Sequence, residues 1–272
     1  MSDLEIGPGN SLYYEHNPPT NESGYTYVFF NALTGDMTNW EAVVCPKLRR
    51  AGHGTLVYNM RGQANSPFSP DVTLDMDLIV DDAMHLLSAI IPVRPILVGL
   101  SIGGLFAARA WLKGISASGL ALINTLRKDG ARLKWIGDAL VRAVEIGGLD
   151  LFRDLFLPLL VNEDWLASNR RAFLKDGMKY EPLRPDTGHY KLLAEAGRTS
   201  DWNLPYEKLN LPVLLVTGLQ DHVFLEREVV EELANRLPKC TRSDMPTAGH
   251  LIPAEQPDAL ADVLLSFAEE VA

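Results

Sequence analysis

Basic residues are scarce in this chain. Twenty-five lysines and arginines stand against 35 aspartates and glutamates in 272 residues, a net charge of −10. A nucleic-acid partner is therefore excluded from the expectations, because such a binder needs a surplus of cations to displace counterions from phosphates. Pairs such as Arg49-Arg50 and Arg170-Arg171 are too short to make a basic patch. Cysteine is nearly missing: Cys45 and Cys240 lie far apart and match no metal-ligand spacing. They read as two buried free thiols rather than as a disulfide. No apolar stretch reaches the roughly 18 residues of a membrane span. The start, Met1 to Asn10, carries acids, Pro and Gly where a secretory signal has a basic flank and an apolar run. These absences point to a soluble, cytoplasmic protein with no membrane partner. With 47% apolar and 22% charged residues, wholesale disorder is excluded too.

What is present is an alternation of short apolar runs with longer helical patterns. Tyr25–Phe30, Thr55–Met60, Pro95–Leu100 and Gly119–Asn124 read as buried strands, and Leu12–His16 as a strand before them. Trp40–Arg50, Asp75–Ile90 and Ile102–Lys113 read as the helices between. Strand and helix in alternation predict an α/β fold, a parallel sheet covered on both faces. After Asn124 the rhythm breaks. Helical patterns at Ala131–Glu145, Leu149–Leu160, Asp164–Lys175 and His189–Thr199 follow one another without a strand. The sheet pattern then resumes with Pro212–Thr217, Glu226–Leu237, Thr241–Met245 and Pro257–Glu270. The plan is a core formed by residues 1–126 and 206–272, interrupted before the penultimate strand by a helical cap at 127–205, since long excursions in compact domains tend to be functional.

The strand Pro95–Leu100 runs through Gly99-Leu100-Ser101-Ile102-Gly103-Gly104 directly into a helix. This is G-x-S-x-G in the context that the pattern requires. A reactive hydroxyl has to be pushed out on a sharp turn, and glycines on either side make room for the neighbouring backbone. The helix that follows aims its amino end at the reacting centre, where negative charge develops. Of the six histidines, His250 is placed to serve as base, in the loop between the last short strand and the final helix. His16, His53, His85, His189 and His222 read as core, surface or rim residues. Asp221 follows the strand Pro212–Thr217 and qualifies as the carboxylate that orients the imidazole. The competing strand end holds Asn124, which cannot carry the charge. The chain order is Ser101, Asp221, His250.

GLSIGG at 99–104, TGLQDHVF at 217–224, AGHLIPAEQPD at 248–258 and NMRGQANS at 59–66 make the chain resemble the α/β-hydrolase family over nearly its whole length, and within it the small esterases and enol-lactonases. The resemblance implies a mostly parallel central sheet flanked by helices. It also implies an oxyanion hole made by the backbone amides of Leu33 and Ile102. Two departures from the family pattern stand out. Asn31-Ala32 replaces the usual His-Gly before the oxyanion residue, so the Asn31 side chain is a further candidate to meet the oxyanion. Asn59 and Ala64 replace the usual Asp and Gly of the D-x-R-G-x-G-x-S turn, where effects on stability are expected.

Covalent acyl transfer on an ester or lactone is the expected reaction, with no metal or organic cofactor. The cap supplies apolar side chains for an acyl pocket, among them Trp135, Phe152, Phe156 and Trp165, with Leu140, Leu155, Leu159 and Phe173 in the same set. Arg127 stands near the expected mouth, where it can pair with a substrate carboxylate. Two other classes use the same fold: a carbon–carbon bond hydrolase or cofactor-free oxygenase on the same three residues, and a non-enzymatic ligand-binding member.

Overall fold

Short apolar runs whose backbone must be paired on both sides become the central strands. The computed structural model describes residues 2–125, 128–173, 177 and 179–271. Its strands are β1 Ser2–Gly7, β2 Asn10–Asn17, β3 Thr26–Phe30, β4 Gly54–Tyr58, β5 Pro95–Leu100, β6 Gly119–Ile123, β7 Val213–Gly218 and β8 Cys240–Met245. They form one sheet in the order β1-β2-β4-β3-β5-β6-β7-β8. β2 is antiparallel to both β1 and β4, and every other pairing is parallel. Strands β3, β4, β6 and β7 are buried at every position. That is why they read as continuous apolar runs rather than as alternating ones.

β1 is absent from the sequence reading. It is an edge strand with half of its residues exposed, and only Leu4 and Ile6 pack against the core. Two apolar side chains in six leave a weak periodic signal, and pairing with β2 across the Pro8-Gly9 turn supplies the rest. The expected helix Trp40–Arg50 is instead two short ones, α1 Thr38–Glu41 and α2 Cys45–Arg50. Pro46 is the reason: proline lacks the amide that an interior turn needs, so it sits in the first turn of a new helix.

α3 Met76–Ile90 starts on Asp75, whose Oδ1 accepts the Leu78 amide at 2.9 Å. α4 Ile102–Leu112 follows β5 directly. Between β6 and β7 come α5 Ala131–Leu160, α6 Glu163–Phe173, α7 Gly188–Lys191, a π-helical turn at Leu192–Ala196 and α8 Gly197–Thr199. α5 is kinked at Gly147 and Gly148, which have non-helical dihedrals, so its two limbs correspond to the two helical patterns of the sequence. After β7 come α9 Arg227–Arg236, α10 Ile252–Glu255 and α11 Pro257–Glu270.

The sheet divides the core in two. On one face Leu97, Leu120 and Leu215 pack with α3 and α4 through Leu86, Leu105 and Phe106. On the other, Phe29, Val98 and Val216 pack with Trp40, Leu264 and Phe267. Cys45 is buried and free as expected; Cys240 is free but only half-buried, because β8 is the other edge of the sheet.

The NMRGQANS turn after β4 carries an ion pair closed off from water. Arg61 donates Nε–H to Asp82 Oδ2 at 2.7 Å and Nη2–H to Oδ1 at 2.6 Å, while its Nη1 reaches Asn10 Oδ1 at 3.1 Å. Arg61 and Asp82 are 7% and 6% exposed. Arg61→Ala leaves a buried carboxylate without its cation, so it is expected to cost about 3–5 kcal/mol of stability. Urea melts of the two proteins check this, and an unchanged midpoint would show that the pair is dispensable.

Candidate active site

β5 passes into α4 through a tight turn with no intervening loop. Ser101 sits there at φ 57° and ψ −124°, a region that non-glycine residues rarely occupy. Two contacts force it. The Ser101 amide donates to the Ile123 carbonyl at 2.7 Å, and the Gly104 amide donates to the Ser101 carbonyl at 3.1 Å. The flanking glycines are required by the closeness of backbone. A Cβ at Gly99 would lie 2.3 Å from the Gly104 nitrogen, and one at Gly103 would lie 2.3 Å from the Phe30 carbonyl oxygen.

His250 and Asp221 come to the same end of the sheet from the loops after β8 and β7. His250 Nδ1 and Asp221 Oδ2 are 2.6 Å apart, and both side chains are almost wholly buried. Asp221 Oδ1 accepts the amides of Val223 at 3.0 Å and Phe224 at 2.9 Å. Burial pushes the Asp221 carboxyl upward, but the His250 charge and hydrogen bond and the two amides outweigh it and hold the group below the usual carboxylate range. An ionised Asp221 accepts a hydrogen bond from Nδ1–H, which fixes the tautomer of a neutral ring with its lone pair on Nε2. Phe224 lies against the ring at 4.9 Å between centroids.

Ser101 and His250 share a cavity of about 300 Å³. Leu33 and Ile102 line it as well, and among the described residues the Leu33 amide donates to no backbone carbonyl. Phe152, Phe156 and Trp165 form its walls, with Leu140 and Phe173. Trp135 does not belong to this cavity. It is 78% exposed on the outer side of α5, and Leu155 and Leu159 are exposed with it. Helical periodicity put Trp135 and the leucines on helical patterns of the cap, but it does not say which stripe of a helix faces inward.

Asn31 is a second correction. Its Nδ2 donates to the Tyr58 carbonyl at 2.7 Å and to Gln63 Oε1 at 2.9 Å, and its Oδ1 accepts the Trp40 indole N–H at 2.9 Å. The amide is therefore committed to the interior and is not offered to an oxyanion. Gln63 continues the strut by donating to the Ala32 carbonyl at 2.9 Å, and Asn59 Oδ1 accepts the Met37 amide at 2.7 Å. The two departures from the family pattern thus lie at struts to either side of Leu33, one reaching Ala32 through Gln63 and the other holding Met37.

Arg127 lies outside the described residues. Among the described residues the permanently charged side chain on the cavity wall is Arg153, whose Nη1 donates to Asp150 Oδ1 at 3.1 Å. Among the described residues no group of three His, Cys, Asp or Glu side chains is placed to hold a metal ion, and no helix is long and apolar enough to cross a membrane.

Asn124 has a part that sequence reasoning missed. At φ 48°, its Nδ2 donates to the carbonyls of Gly249 and His250, both at 3.0 Å, and its Oδ1 accepts the Gly218 amide at 2.8 Å. One amide side chain at the end of β6 thus ties the His250 loop to the end of β7. The sign available in the sequence was an asparagine, a residue type that tolerates the left-handed region, directly after the apolar run of β6.

The chain resembles several known proteins over nearly its whole length. RutD of Variovorax paradoxus (strain S110), provisionally assigned as a carbamate hydrolase, is 22% identical over 261 residues, covering 96% of this chain and 97% of that protein. A thermophilic esterase from Thermogutta terrifontis superposes with a TM-score of 0.77 at 23% identity, over 96% of this chain and 94% of the esterase. The enol-lactonase of Burkholderia xenovorans LB400 superposes with a TM-score of 0.76 at 19% identity, over 96% and 97%. The sequence model of the alpha/beta hydrolase family matches residues 27–263. With the eight-stranded, mostly parallel sheet in place beneath it, that match shows that the chain belongs to the alpha/beta hydrolase family.

Proposed function

We propose that the protein is a serine hydrolase that cleaves a carboxylic ester or lactone through an acyl-enzyme on Ser101. The observation that carries this reading is the placement of Ser101, on a strained strand-to-helix turn, in one cavity with an imidazole bonded at 2.6 Å to a buried carboxylate. His250 Nε2 takes the hydroxyl proton as Ser101 Oγ attacks the carbonyl carbon. The amides of Leu33 and Ile102 receive the oxyanion, a contribution of about 3 kcal/mol per donor in sites of this kind. The protonated imidazole returns its proton to the leaving oxygen. Water then repeats the sequence on the acyl-enzyme and frees the acid.

In this reading residues 127–205 are a cap, and α5 and α6 select the acyl group. Apolar walls and one paired charge suit a medium-sized hydrophobic ester or lactone. A carbamate is the second substrate class, favoured by the likeness to RutD, since its carbonyl is open to the same attack.

A panel of p-nitrophenyl esters, lactones and carbamates, run beside fluorophosphonate labelling, tests the reading. The expected result is one phosphonyl group on Ser101, a burst of p-nitrophenol and faster turnover of medium than of long acyl chains. Label elsewhere, or turnover without any acyl-enzyme, would remove it.

A further inference from the structure

One carboxylate sits under the main chain of His250 without touching the ring. Glu255, in α10, accepts four hydrogen bonds. Its Oε2 takes the amide of Gly249 at 2.7 Å, the amide of Asn162 at 2.8 Å and the Asn162 side-chain Nδ2–H at 2.7 Å; its Oε1 takes the Leu251 amide at 2.9 Å. Two of these donors flank His250. The other two belong to Asn162, in the two-residue link between α5 and α6. Asn162 Oδ1 in turn accepts the Trp165 amide at 2.8 Å, so the same side chain caps α6, and the Trp165 indole N–H donates to the Ala254 carbonyl at 3.0 Å. The amide of His250 itself donates to the carbonyl of Leu160, the last residue of α5, at 2.5 Å.

We propose that Glu255 is a positioning residue, a joint that holds the His250 loop and the Trp165 wall of the substrate cavity as one unit. The proposal rests on His250 being the base. Four converging N–H groups need an acceptor with no hydrogen of its own, and an ionised carboxylate offers about four acceptor sites. Charge-assisted bonds of this kind are roughly twice as strong as neutral ones. A glutamine would turn its own NH₂ against at least one of the donors. Asn124 holds the same loop from the opposite side by its carbonyls. Residues 249–251 are thus tethered through amides and carbonyls alike, and the position of the imidazole follows from both. Loss of about 1 Å in such a placement costs on the order of 100-fold in rate.

The test compares wild type, Glu255→Gln and Asn162→Ser, the last keeping an N-cap hydroxyl while removing the Nδ2 donor. Wild type is first labelled with fluorophosphonate, and a chain not labelled at Ser101 would refute the serine reading before any variant is compared. Given that label, Glu255→Gln is expected to melt cooperatively, to lose about 10- to 100-fold in kcat on a p-nitrophenyl ester and to slow Ser101 phosphonylation by the same factor. Asn162→Ser loosens the wall and is expected to raise KM several-fold, with a smaller loss in kcat. A folded Glu255→Gln with kcat and phosphonylation rate within about twofold of wild type overturns the proposal. Should Glu255→Gln not fold, Asn162→Ser decides: a raised KM supports the joint, and a wild-type KM overturns it.

Discussion

Ser101→Ala is expected to lower kcat/KM on an activated ester by about 10⁴- to 10⁶-fold, the range seen when a triad nucleophile is removed. The loss should be chemical and not structural. Alanine keeps the Cβ, so the strain at φ 57°, of order 1–3 kcal/mol, is unchanged, as are the Ser101 amide bond to Ile123 and the carbonyl bond to Gly104. The variant should therefore melt close to wild type, show no burst and take no fluorophosphonate. Steady-state assays and intact-protein mass spectrometry read all three. Unchanged turnover would mean that the chemistry lies elsewhere in the cavity.

Asp221→Asn carries the second-largest expected effect, a fall in kcat of about 10⁴-fold, and the hydrogen bonds say why. Oδ1 is held by the amides of Val223 and Phe224, so an asparagine keeps its oxygen there and turns its NH₂ toward His250. Nδ1 then has to accept, the ring proton moves to Nε2, and the imidazole can no longer receive a proton from Ser101. The same substitution has a signature in stability. The Asp221 carboxyl is held below its ordinary value, so its contribution is present above the unfolded value of about 3.9 and is lost as pH falls through the lower folded one. The melting gap between wild type and Asp221→Asn should be full near pH 7 and narrow below about pH 4. A gap that widens on acidification would contradict the pairing of the carboxylate with His250.

Much of the fold was legible because its signals are local. β5 and α11 fall on the residues that their apolar patterns mark out, and α3 begins where the aspartates Asp75, Asp77, Asp81 and Asp82 start. Buried parallel strands need uninterrupted apolar runs, and an elbow needs glycine where backbones nearly touch. β1 escaped because an edge strand with exposed side chains carries little pattern, and the Trp40–Arg50 helix was misread because Pro46 suits a first turn as well as it breaks an interior one.

In the candidate site, Ser101, Asp221 and His250 could be picked out because residue type and strand-end position coincide at each. Asn31, Trp135, Asn124 and Glu255 could not be placed in the same way. An asparagine or a glutamate serves whichever backbone groups lack partners, and those groups arrive from distant parts of the chain. The two carbonyls under Asn124 are more than 120 residues away from it, and Asn162 lies 93 residues before Glu255.

The strand-helix order with its one interruption follows from periodicity alone. By itself, then, the sequence determined the strands of the sheet other than β1 and the identities of the candidate nucleophile, acid and base. Only the tertiary structure decided which face of α5 meets the cavity, that Asn31 is a strut, and that one carboxylate joins the His250 loop to the α5–α6 elbow. The physical reason is the same in each case: burial and hydrogen-bond partnership depend on which segments meet, and local pattern carries no record of that.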